Sequence, residues 1–104
     1  MEGLELISFQ IIAAAGAARS TYVEAIEMAK EGKIEEARAS IKEGENVFIE
    51  AHKVHMELLT KVANQEKIDV DVLLIHAEDQ LMSAETLKIM AEQMIDIYEA
   101  ISKK

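Results

Sequence analysis

Residues 70–102 read VDVLLIHAEDQLMSAETLKIMAEQMIDIYEAIS, and this stretch decides the fold because it carries two apolar lines rather than one. Ala77, Ala84, Ala91 and Tyr98 recur at a heptad interval, while Ile75, Met82 and Ile89 recur at the same interval on a second line. At about 100° per residue the lines stand roughly 160–200° apart on a helix, so two opposite faces demand burial. The small side chains of the alanine line permit close approach by other helices of the same chain. The Ile75 line would then lie in water, and an exposed apolar stripe of that kind calls for a cover from outside the monomer. Asp79, Thr86 and Gln93 also recur at heptad spacing on this second face. Isoleucine-rich seams with single polar layers set register in parallel coiled coils, and isoleucine at both seam positions favours three or more strands. The pattern predicts a helix packed against copies of itself about a symmetry axis. The alternative cover is the N-terminal helix, apolar almost all round through Ile11, Ile12, Ala13, Ala14, Ala15 and Ala17.

Outward from this segment, two breaks divide the chain. At Glu31-Gly32-Lys33 the glycine suits the position just past a helix end, and residues 64–69 are polar with no apolar periodicity. Three helices follow, near 4–30, 34–63 and 70–102. Each is roughly 40–50 Å long at helical rise. Short connections make neighbours antiparallel, so the expected fold is all-α, an up-down-up three-helix bundle forming a single domain over 1–104. Helix 2 has one seam, built from Ile34, Ile41, Phe48, His55 and Val62 beside Ala37, Gly44, Ala51 and Leu58. Much of the rest of its surface is Glu, Lys, Arg and Asn.

Composition agrees with helices and excludes several kinds of chemistry. There is no proline and no cysteine, and half the residues are hydrophobic with only 4% aromatic. Without cysteine there is no disulfide, thiolate metal site or thiol nucleophile. A net charge of −9 repels nucleic-acid phosphates and anionic lipid heads, so neither is an expected partner. Residues 4–18 lack a basic leader and are interrupted by Glu5, Gln10 and Gly16, which argues against a signal peptide or direct membrane insertion. A cytoplasmic protein is the expectation. At 104 residues the core is small, which makes oligomerisation a natural supplement.

Any nucleophilic or metal chemistry then falls on His52, His55 and His76. His55 sits in the helix 2 seam and reads as a satisfied, partly buried core histidine. His52 and His55 form a His-x-x-His pair, which binds a transition metal only with further ligands. The Glu-x-x-His element of di-iron bundles is missing, because Ile49, His52 and Leu73 stand three residues before the histidines. His76 occupies the flank of helix 3, about 100° from both the alanine line and the isoleucine line. Asp79 follows one turn later on adjoining surface. By residue pattern alone, a surface histidine in a non-enzymatic helical assembly module remains the rival reading.

The segment Leu73-Leu74-Ile75-His76-Ala77-Glu78-Asp79-Gln80-Leu81-Met82 resembles the phosphorylation segment of enzyme IIA proteins of the lactose/cellobiose (chitobiose) class of the sugar phosphotransferase system. In that class it usually reads His-Ala-Gln-Asp-His-Leu-Met. Ala15-Gly16-Ala17-Ala18-Arg19-Ser20, then Glu24-Ala25 and Ala29-Lys30-Glu31-Gly32, look like the family's first helix and turn, and Ala51-His52 looks like its helix 2 motif.

The resemblance implies a homotrimer with the third helices about the axis, which agrees with the surplus face. It also implies a relay in which the phosphocarrier HPr donates a phosphoryl group to His76, and the cysteine of a cognate IIB component accepts it during uptake of a beta-linked disaccharide. Imidazole suits this work because its neutral ring is nucleophilic near neutral pH and forms a phosphoramidate labile enough to pass on. Gln80 is a candidate donor to the phosphoryl oxygens. Three Asp79 carboxylates at a threefold axis would need protons or a hard cation, so one Mg²⁺ per trimer is expected at Asp79, as the family is similar in having a metal there. Two departures stand out: Gln80 replaces the family's second histidine, and Glu78 replaces its glutamine. Glu78 adds negative charge that weakens phosphate binding unless it points elsewhere. Which sugar is transported is not written in a chain that touches only proteins and phosphate.

Overall fold

The computed structural model describes residues 3–104 as three α-helices: α1 (Gly3–Lys30), α2 (Ile34–Ala63) and α3 (Val72–Ser102). They lie side by side in a rod with extents of 57 × 22 × 20 Å. Backbone hydrogen bonds returning into the last turn close α1 and α2. Gly32 has φ 84°, and the N–H groups of Gly32 and Lys33 donate to the carbonyls of Ala29 and Met28 at 3.0 and 2.9 Å. That is the glycine-ended stop the sequence predicts. α2 stops in the same way without glycine, with Gln65 at φ 61° and the N–H groups of Gln65 and Glu66 donating to Val62 and Lys61 at 3.0 Å.

The start of α3, expected near residue 70, lies at Val72: Asp71 is extended, with φ −130° and ψ 177°, and its Oδ1 accepts the Leu74 N–H at 2.8 Å. That bond satisfies one of the donors a helix start leaves free, which fixes Val72 as the first helical residue. Val70 and Val72 had extended the apolar pattern, but both are exposed and pack against no core.

Burial follows the heptad lines. One core cluster joins Ile7 and Ile11 of α1, Ala51, Val54 and Leu58 of α2, and Leu74, Ala77 and Leu81 of α3. A second joins residues from Ala18 to Ala29 of α1 with Ala37 and Ile41 of α2 and Ala91 and Ile95 of α3. α1 is the common partner, packing on both other helices, which touch one another far less. Gly44 is required where α2 meets Tyr22, because a Cβ there would collide with the tyrosine ring. The buried ring leaves its hydroxyl near Glu45 and Glu92, and burial first, then those carboxylates, pushes its pKa up to about 12.

The two faces of α3 divide as their side chains suggest. Ala77, Ala84 and Ala91 are 0% exposed, whereas Ile75, Met82 and Ile89 are 58%, 57% and 59% exposed. α1 does not cover the isoleucine line, so within one chain that alternative is set aside. Asp79, Thr86 and Gln93 are exposed along the same face.

Candidate functional site

The three histidines occupy three different environments. His55 is partly buried in the α2 seam, with Nε2 lying 2.8 and 3.0 Å from the two carboxylate oxygens of Glu78. A carboxylate only accepts, so Nε2 carries the hydrogen in this pair. Glu78, the acidic departure from the family segment, is thereby turned toward α2 and links the two helices. His52 is exposed and lines a groove between α2 and α3 together with Phe48, Ile49 and Ile89. Among the described residues no group of three metal-ligating side chains converges, so the His52-x-x-His55 pair finds no third ligand.

His76 is exposed in the second turn of α3, and among the described residues its ring hydrogen-bonds no other side chain. The Asp71 cap holds the turn before it, and the burial of Leu74, Ala77 and Leu81 in the core fixes which way this residue faces. On one side of it lie the buried Ala77 and the α1 contact, and on the other the open Ile75 line. Such a ring can reach a reacting group on another protein while its backbone is held by a packed helix. The helix N-terminus contributes little charge stabilisation at this depth, since the effect fades after the first turn.

Asp79 is exposed one turn further on. A single chain offers it no companion ligands among the described residues, so one chain alone does not suit a cation there. Gln80 is half-buried, and its Oε1 accepts a hydrogen bond from Arg19 Nη1 of α1 at 2.8 Å. Sequence reasoning passed over Arg19 as a site residue. Its signals there were its place in the Ala15–Ser20 motif and its being the one cation of α1 before Lys30. Across the α2 and α3 junction, Arg38 pairs with Asp96 and Glu99 at 3.0 Å and Lys88 with Glu45 at 3.3 Å, exposed pairs of small energetic weight.

Three long helices thus present an exposed histidine near the start of the third, in a chain without cysteine. The model of the PTS system lactose/cellobiose-specific IIA subunit matches residues 6–99, and the chain belongs to that family. It is 41% identical to the lichenan-specific phosphotransferase enzyme IIA component of Bacillus subtilis, over 99% of this chain and 94% of that protein. The crystal structure of the PTS cellobiose-specific enzyme IIA from Bacillus anthracis superposes with a TM-score of 0.96 at 41% identity, covering 100% of this chain and 95% of that one. The IIA(chitobiose) and HPr complex of the Escherichia coli phosphotransferase system matches with a TM-score of 0.83 at 28% identity, over 98% of this chain and 99% of that one. No helix among the described residues is long and apolar enough to cross a membrane.

Proposed function

We propose that this chain is a cytoplasmic phosphoryl carrier that takes its group from HPr onto His76 and gives it to the cysteine of a cognate IIB component. The observation that carries the reading is the exposed imidazole of His76 at the start of a packed helix, in the segment that resembles the family's phosphorylation site. HPr as donor is supported by the complex that the chitobiose relative forms with it. In the first step a ring nitrogen of His76 attacks phosphorus while the bond that holds the group on HPr breaks, and the electron pair of that bond stays with HPr. In the second step the IIB thiolate attacks phosphorus, the bond to His76 breaks, and the group passes from nitrogen to sulfur. No acid or base need act beyond the rings themselves. The protein's share is to hold the ring in reach and donate hydrogen bonds to the phosphoryl oxygens.

The same reading includes the up-down-up arrangement, favoured because the start of α1, the end of α2 and the start of α3 share one cluster. It includes a homotrimer with the Ile75, Met82 and Ile89 lines about the axis, favoured by their exposure in the single chain. Three Asp79 carboxylates would meet there and could hold one Mg²⁺, a hard cation that takes oxygen ligands. Incubation with enzyme I, HPr and phosphoenolpyruvate tests the relay. A label stable in base and lost in acid is expected on the wild type and absent from His76→Ala. An unlabelled wild type would return the chain to the rival reading, a helical assembly module without phosphotransfer.

A further inference from the structure

The hydrogen bond between Arg19 and Gln80 fixes more than the distance between two helices. A guanidinium has donors only, so the Gln80 oxygen must be the atom that faces Arg19 Nη1, 2.8 Å away. The amino group of the same carboxamide is then turned away from Arg19. Gln80 stands one turn after His76 on the same side of α3, and side chains on a helix lean toward its N-terminus over the preceding turn. The amino group, which makes no hydrogen bond among the described residues, is thus left free one turn from His76.

Arg19 is itself unusual. Its Nε is buried without a partner, and among the described residues it pairs with no carboxylate, although acidic residues outnumber basic ones by 20 to 11 in the chain. A half-buried cation with no counter-ion is costly to keep, and its charge would be offset by an anion arriving nearby. Gly16, Ser20 and Val23 border the hollow that opens beside it rather than any acidic group.

We propose that Arg19 is a positioning residue: it locks the Gln80 carboxamide so that its amino group donates to a phosphoryl oxygen on His76. This rests on the carrier reading. It also accounts for glutamine where the family usually has histidine, since a locked amide presents a donor that needs no protonation.

The test is the equilibrium of phosphoryl exchange between phospho-HPr and this chain, measured with wild type, Gln80→Leu, Arg19→Met and the double variant. Loss of one hydrogen bond to a charged oxygen is expected to shift the equilibrium roughly tenfold against the carrier in Gln80→Leu. Arg19→Met should produce most of that loss, and the double variant little more, because the two residues act as one unit. Arg19→Lys, which keeps a donor, should recover part of it. An independent readout is the side-chain amide signal of ¹⁵N-labelled Gln80, which should shift on phosphorylation in wild type and not in Arg19→Met. A variant protein of unchanged helix content and oligomeric state that exchanges like wild type would overturn the role of Arg19. A wild type that takes no phosphoryl group would overturn the carrier reading and this inference with it, whereas a wild type that labels while all variants match it overturns this inference alone.

Discussion

The two faces of α3 are nearly equal in apolar character and opposite in fate. One carries alanine at heptad spacing and is closed by α1 and α2; the other carries isoleucine and methionine at the same spacing and is left open. The closed face also takes in Leu74, Leu81 and Ile95, but its heptad line is small. Small residues let helices of one chain approach closely, while large ones on the far face keep apolar area for something further away. His76 stands at the margin between the two, which is why a packed helix can present it outward.

Substitutions can break this comparison, beginning with the largest effect. Ile95→Ala empties a fully buried position in the closed face and should cost about 2–5 kcal/mol in urea unfolding. The same chemical change at Ile89, on the open face, should alter unfolding at low protein concentration by less than about 0.5 kcal/mol. On the proposed trimer its effect should instead be a shift of the sedimentation mass from three times 11.6 kDa toward one. Equal unfolding costs at the two positions would mean that the faces are not divided as described.

Gly44→Ala sharpens the closed side. The added methyl group meets the Tyr22 ring, which is itself packed against both other helices, so overpacking should cost about 1–3 kcal/mol by the same unfolding measurement. Asp71→Ala strikes both faces alike by removing the cap at the start of α3. The expected loss is about 1 kcal/mol, with faster amide hydrogen exchange confined to the first turn around Leu74. Unchanged exchange there would show that the cap does not hold the segment bearing His76.

Much of this was legible in the sequence because heptad spacing reports directly on helix faces. The alanine line, the open isoleucine line, the glycine-ended stop after α1 and the partly buried His55 were all readable from residue types at fixed intervals. The start of α3 was legible only to within about two residues, because Val70 continues the apolar pattern across the Asp71 cap. Contacts between distant residues were not legible at all. Arg19 with Gln80 and His55 with Glu78 depend on how α1 and α2 slide against α3, and the collision that demands Gly44 depends on where Tyr22 falls. Local spacing carries no record of that register.

The three histidines also separate cleanly in the chain, since cleavage after Lys and Arg leaves His52 in residues 43–53, His55 in 54–61 and His76 in 68–88. Peptide mass mapping of the chain after incubation with enzyme I, HPr and phosphoenolpyruvate, kept at alkaline pH throughout, reads out which ring is modified. One phosphoryl group on the 68–88 peptide and none on the other two is the predicted result. Modification of either α2 peptide, with 68–88 unchanged, would contradict the account.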